Sequence, residues 1–390
     1  MIESKMMNAG REAPADELPD TSPFARDVYC ILGLPFDLVG VAEATRYMQR
    51  ASAEGRRCFL STPNLNFSIA CLDDPKFRLS VIQSDLSVID GMPLVWIAKA
   101  LRLPFRERVA GSTLFETLRQ ESGKNGVAAM KVYFFGGPPG VAERAGQKLN
   151  ADDSSMRAVG FDSPGFGSVE QMSNAAAIQK INDSGADFLV VALGAKKGQA
   201  WIQHNLSSLR VPLVSHLGAV VNFVAGTVSR APIWIQKSGL EWIWRIKEEP
   251  GLWRRYWNDG VNLLRLLFSN IIPAAAAARR SSLPSANFAC AEMALYTEGG
   301  RCRLRLSGAV GHPNIARLKV LLDRAARSDA DFVLDCSALA NVDSAAIGSL
   351  ILLYGTCLAN QRAWSVINVP IVVRRQFELH CAQYLLEPVA

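Results

Sequence analysis

The chain has 390 residues, 49% of them hydrophobic and 20% charged, with a formal net charge of +6. That length argues for two domains, and the apolar share is enough for sizeable cores. The small positive balance, with no RNP-type or zinc-finger spacing, speaks against a nucleic-acid binder.

Residues 1–27 are polar, acidic and proline-containing, with no apolar stretch of signal-peptide type, and suggest a disordered tail. From residue 28 to 226 short apolar runs alternate with helical patterns. Strands are expected at Tyr29–Leu32, Arg57–Leu60, Leu86–Ile89, Lys131–Phe135, Phe188–Ala192 and Leu213–Leu217. Helices are expected at Ala42–Ala53, Pro93–Leu101, Gly140–Leu149, Val169–Ser184 and Gln199–Leu206. This order predicts a layered α/β domain on a mainly parallel sheet.

Small polar and charged groups fall where these apolar runs stop: Thr62-Pro63-Asn64, Asp90-Gly91-Met92-Pro93 and Arg108-Val109-Ala110-Gly111-Ser112. In open α/β sheets, ligands sit at the carboxyl ends of strands. Asp90, at the end of Leu86–Ile89, is therefore a candidate general base. The plainer alternatives are an Asp-Gly turn and a helix cap at Asn64. Gly136 and Gly137 end another strand, where they allow either a phosphate to approach the backbone or a simple tight turn.

Residues 227–273 differ in character. They hold five of the eight tryptophans, interleaved with Lys237, Arg245, Lys247, Arg254, Arg255 and Arg265. Amphipathic helices of this composition suit a membrane interface, and also suit a helical cap packed on the sheet domain. No run of about 18 uncharged apolar residues appears, so no transmembrane helix is expected. Residues 274–288, with an alanine run between Pro273 and Pro284, suggest a linker.

The pattern restarts over residues 289–390. Arg301–Leu306 alternates as a half-buried strand. A helix over Pro313–Arg327, a strand over Asp331–Cys336, a helix capped by Asp343 or Ser344, a strand over Ala363–Val369 and a last helix near 371–385 complete a smaller α/β unit.

The eight cysteines form no C-x-x-C pair and sit mostly in apolar runs, as reduced cytoplasmic thiols do. His204, His216, His312 and His380 are scattered without metal-ligand spacing, so no metal site is expected.

From Ile31 to Tyr256 the chain resembles the WecG/TagA/CpsF glycosyltransferase family (glycosyltransferase family 26). The resemblance rests on the three segments above together with Ile31–Asp37, Phe135-Gly136-Gly137, Ala225-Gly226, Arg230-Ala231-Pro232 and Gly239-Leu240-Glu241-Trp242. It implies an inverting, metal-independent transferase that needs no cofactor. Such an enzyme moves a sugar from a UDP-sugar to a polyprenyl-diphosphate-linked saccharide at the inner face of the cytoplasmic membrane. N-acetylmannosamine, its uronic acid and glucose are the donor sugars it suggests, in surface or exopolysaccharide synthesis.

The resemblance also implies roles. Asp90 stands in the family's Asp-Gly-Xaa-Pro motif as the base. Thr62 and Asn64 match positions near the nucleotide and reacting sugar. Arg108 would bind sugar or phosphate, and Gly136 and Gly137 would line the UDP pocket. Arg245, Arg254 and Arg255 fall in a C-terminal appendage that closes over the site on the membrane. Departures are visible too. The family glutamine aligns with Gly198 unless a one-residue shift restores Gln199, and the usual aspartate before Phe223 is Asn222. These departures keep a second reading open, a degraded transferase acting as a regulatory scaffold.

The last hundred residues resemble a STAS domain, on Leu304–Gly308, Leu334–Ser337 and Val342-Asp343-Ser344. The family's phosphorylatable serine aligns with Ala345, so its usual phospho-switch is not expected, and Ser344 is best explained as a cap. The resemblance implies a regulatory module that binds a protein partner.

Overall fold

The computed structural model describes residue 18 and residues 22–124, 126–232, 234–235, 239–280 and 284–389. The chain opens with a hairpin, β1 (Val28–Ile31) and β2 (Leu34–Asp37), before helix α1 (Val41–Ala53). Strands β3 (Cys58–Ser61) and β4 (Leu86–Ser87) bracket α2 (Leu65–Asp73) and α3 (Pro75–Ile82). Helices α4 (Met92–Ala100) and α5 (Gly111–Glu121) then lead to β5 (Lys131–Gly136). The domain continues through α6 (Val141–Asn150), β6 (Arg157–Asp162), α7 (Ala175–Asp183), β7 (Phe188–Ala192), α8 (Ala195–Asn205), β8 (Leu213–His216) and α9 (Gly218–Ala225).

Six of these strands form one parallel sheet, in the order β4-β3-β8-β7-β5-β6. The central strands are continuous apolar runs because both faces are covered. Val132, Phe134, Phe188 and Val190 pack against α1, α5, α6 and α9. Their neighbours Tyr133, Phe135, Leu189 and Val191 pack on the other side against α7 and α8, with Phe135 and Trp201 stacked at 4.4 Å. The alternation is the two-residue period of a strand.

The expected strand near Tyr29–Leu32 is present but does not join this sheet. Leu32 and Gly33 have φ of 50° and 77°, a two-residue turn that folds β1 back antiparallel on β2. Arg26 clamps the hairpin by pairing both carboxylate oxygens of Asp37, and Asp37 accepts the Ser87 amide of β4 at 2.6 Å.

The appendage is helical: α10 (Glu241–Glu248), then a single helix from Pro250 to Arg279. That helix comprises α11 (Trp253–Leu266), a π turn over Leu267–Ile271 and α12 (Ile272–Arg280). It is long and apolar enough to cross a membrane, although no uncharged run in the sequence announces it. The linker expected over 274–288 is corrected here. Residues 274–280 are helix because alanine is the strongest helix former, and α13 (Ser285–Ala289) follows. Pro273 lacks an amide for the turn before it, and the π turn lies where that hydrogen bond would fall.

The second domain is a four-stranded sheet, β12-β11-β10-β9, in which only β9 is antiparallel. Its strands are β9 (Glu292–Glu298), β10 (Arg301–Val310), β11 (Phe332–Val342) and β12 (Trp364–Ile367). The helices are α14 (Ile315–Ala326), α15 (Ser344–Ala359) and α16 (Ile371–Leu379). Asp343 caps α15, accepting from the Ala345 and Ala346 amides at 2.9 and 3.0 Å.

The two domains share a core. Helix α15 is apolar on all sides and buried along nearly its whole length. One face covers its own sheet and the other covers the β1–β2 hairpin. Gly348 brings it against β1, where an added Cβ would meet the Cys30 nitrogen at 3.1 Å. One face further along, at Gly355, a Cβ would meet Ile82 of α3 at 2.5 Å. Ser344 donates to the Cys30 carbonyl at 2.9 Å, and Tyr384 to the Gly33 carbonyl at 2.8 Å. The disordered-tail expectation is likewise corrected at its end. Phe24 is buried in the second domain's core, and Ser22 donates to Asp323 at 2.6 Å. Residues 1–17 and 19–21 lie outside the described residues.

Candidate active site

A cavity of about 820 Å³ opens at the carboxyl ends of β3, β4 and β8, roofed by α10 and α11. Its size and position are those of a small-molecule site on an α/β sheet. Thr62, Asn64, Asp90, Arg108, Arg245 and Arg255 all line it.

Asn64 leaves β3 and caps α2, its side-chain oxygen accepting from Phe67 at 3.0 Å. The cap commits the oxygen and leaves the amide nitrogen for the cavity. Asp90 is held by its own amide, which donates to Pro63 O at 3.0 Å. Its carboxylate faces the first amide of α5, that of Gly111, at 3.4 Å. Gly91, with φ of 135°, makes the bend that aims Asp90 inward.

Burial pushes the Asp90 carboxyl up from 3.8 to about 6. Arg108 and Arg245 pull it down, and Glu241 pushes it up. The carboxylate therefore sits near neutrality, where a general base is most effective.

Arg108 is not free. It pairs with Glu241 of α10 at 2.6 Å, both side chains largely buried, and so latches the appendage to the sheet domain. A second latch joins Asn66 of α2 to Asp259 of α11 at 2.8 Å. Arg245 projects into the cavity past the Phe223 ring, and its buried Nε has no partner among the described residues. Arg255 lines the wall 4.0 Å from Asp259.

Five residues expected at the site lie off the cavity wall. Gly136 and Gly137 lie at the end of β5, two strands beyond β8 in the sheet order. Gly136 is required by backbone packing, since a Cβ there would meet Ala192 O at 2.8 Å. Gln199 is buried, donating to Ser61 at 2.8 Å, and does not line the cavity. Asn222 does not line the cavity, although its neighbour Phe223 does. Arg254 lies over the Trp253 ring at 5.6 Å, outside the cavity wall.

Three lining groups were missed. Glu241 stood in a quoted segment, four residues before Arg245, the spacing that puts both on one helical face. Asp259 follows Arg255 at the same spacing. His216, the last residue of β8, carried no signal beyond its place at the end of an apolar run.

The sequence model of the glycosyl transferase WecG/TagA/CpsF family matches residues 29–276, more than half of the chain. The Mlab, STAS domain model matches residues 293–383. A curated relative from Bacillus spizizenii is 24% identical over 202 residues, covering 52% of this chain and 76% of the relative. It is named an N-acetylglucosaminyldiphosphoundecaprenol N-acetyl-beta-D-mannosaminyltransferase. A parallel α/β sheet with a carboxylate and arginines at its carboxyl edge, and a family match spanning both sheet and appendage, place this chain in the WecG/TagA/CpsF glycosyltransferase family, with a STAS domain joined to it.

Proposed function

We propose that this glycosyltransferase moves a sugar from a UDP-sugar to a polyprenyl-diphosphate-linked saccharide, with inversion, in surface polysaccharide synthesis. The observation that carries the reading is Asp90, raised to about 6 on the wall of a cavity that Arg245 and Arg255 also line. The acceptor hydroxyl gives its proton to the Asp90 carboxylate as its oxygen bonds to the sugar's anomeric carbon. The bond from that carbon to the diphosphate breaks, and its electron pair leaves with UDP. Arg245 and Arg255 face the charge that develops on the departing diphosphate. N-acetylmannosamine, the sugar in the relative's name, is the first donor to try, with its uronic acid and glucose beside it.

The long helix supports a membrane-bound acceptor. Trp253, Trp257, Val261, Leu264, Phe268 and Ile272 are exposed and fall three or four residues apart, on one face. Asp259, Leu266 and Ile271 are buried on the opposite side. One polar or packed face and one apolar, aromatic face make a helix that lies in the headgroup layer rather than across it. Replacing Trp253 and Trp257 together by Ser should move the protein from the bound to the free fraction in flotation with anionic vesicles. Equal flotation of both proteins would remove this face as the contact.

UDP release, measured with each UDP-sugar and a short-chain polyprenyl-diphosphate saccharide, tests the reaction. Release that depends on acceptor is expected, and absence of release and of UDP binding would overturn it. Within an active preparation, Glu241→Gln should move the acid limb of the pH–rate profile to lower pH. It removes the negative charge that raises Asp90 and unmasks Arg108, which lowers it. An unmoved limb would detach Asp90 from that latch.

A further inference from the structure

His216 has no place in the mechanism above, yet the fold clears a space for it. A Cβ on Gly198 would lie 2.2 Å from the ring's Cδ2, and one on Gly218 would lie 3.4 Å from Nε2. The ring therefore occupies room that any side chain at 198 would fill. Its Nε2 is buried and has no hydrogen-bond partner among the described residues. No hydrogen bond is found for Nδ1 among the described residues either, and the residue lines the cavity. An unmet buried N–H is costlier than an unmet acceptor, so the single proton of the neutral ring belongs on Nδ1. Burial keeps the ring neutral down to about pH 4.

The surroundings indicate what Nδ1–H meets. His216 ends β8, and α9 starts two residues later at Gly218. The amides of a first helical turn have no partner within the helix. Gly218 and Ala219 line the same cavity as the imidazole. The Val220 amide donates to Leu217 O at 2.9 Å, but the Gly218 and Ala219 amides and the imidazole N–H border one cavity with no acceptor among the described residues, a set that fits an anionic oxygen. We propose that His216 is a donor-binding residue, hydrogen-bonding a phosphate oxygen of the bound nucleoside diphosphate beside the first turn of α9. The proposal rests on the nucleotide-sugar reading given above.

The test uses full-length protein with ¹⁵N-labelled histidine, titrated with UDP and, separately, with uridine. One imidazole resonance, absent from His216→Ala, is expected to move with UDP and to stay still with uridine. UDP affinity by calorimetry should fall about tenfold in His216→Ala, the loss of one hydrogen bond to a charged group. Gly198→Ala, which pushes the ring out of its space, should weaken UDP by a similar factor without removing the imidazole. UDP binding to wild type with the His216 resonance unmoved and affinity unchanged in both variants would overturn this role and leave the transferase reading intact. A resonance that moves equally with uridine would assign the ring to the nucleoside and overturn the phosphate contact. No UDP binding by wild type would overturn both readings.

Discussion

Asp90→Asn is expected to cut turnover by about 100-fold or more while UDP affinity changes little. The amide fills the same space but cannot take the acceptor's proton. In the wild type, activity should rise as pH passes about 6, where the carboxyl ionises, and then level off. The same substitution carries a second signature. The folded protein holds this carboxyl above its ordinary value of 3.8, so it favours the neutral form. That stabilisation is fully present below about pH 4 and is lost as pH rises through about 6. Asparagine stays neutral throughout. Above pH 6 the variant should therefore melt at a higher temperature than wild type, and below pH 4 the gap should close. Loss of activity with a lowered melting temperature at pH 7.5 would point to misfolding and count against Asp90 as base.

Ser344→Asp is expected to destabilise the whole chain by about 3 kcal/mol or more, because it buries a carboxylate against the Cys30 carbonyl with no cation to meet it. Ser344→Ala removes only one hydrogen bond and should cost about 1 kcal/mol. Gly348→Val should resemble the aspartate variant, since even a Cβ there lies 3.1 Å from backbone atoms of Tyr29 and Cys30. Thermal melts of the full chain distinguish these outcomes. An aspartate variant as stable as the alanine one would mean that α15 separates from the hairpin in solution. A phosphate on Ser344 is larger and more charged than aspartate, so the same contact excludes it in the docked state.

The central sheet was legible because β5, β7 and β8 are apolar on both faces, and such runs stand out. Strand β6 was missed for the opposite reason. Its residues alternate between exposed and half-buried, as an edge strand's do, and Gly160 lies against the Tyr133 ring. The positions at strand ends, Thr62, Asn64, Asp90 and Arg108, could be placed because topology puts such residues together. The glycines after β5 follow the same logic but lie off this cavity, because their strand stands three places from β3 in the sheet order. Gln199 fails because a helix turns it inward, a fact that depends on phase and not on position. The docking of the second domain left one trace, Gly348 and Gly355 seven residues apart on one side of α15, which carries meaning only once the partner surface is known.

The run from Arg255 to Asn270 is unbroken helix, about 22 Å of it at 1.5 Å per residue. One end forms the cavity wall. At the other, Asn270 donates to the Glu378 carbonyl at 2.8 Å, and Ile271 is buried beside Cys381 of the second domain. A cover tied on by a flexible strap would open alone. This one is a rigid helix whose far end, at the π turn, is held by the second domain. The cavity wall and the contact with the C-terminal domain are thus two stretches of one helix.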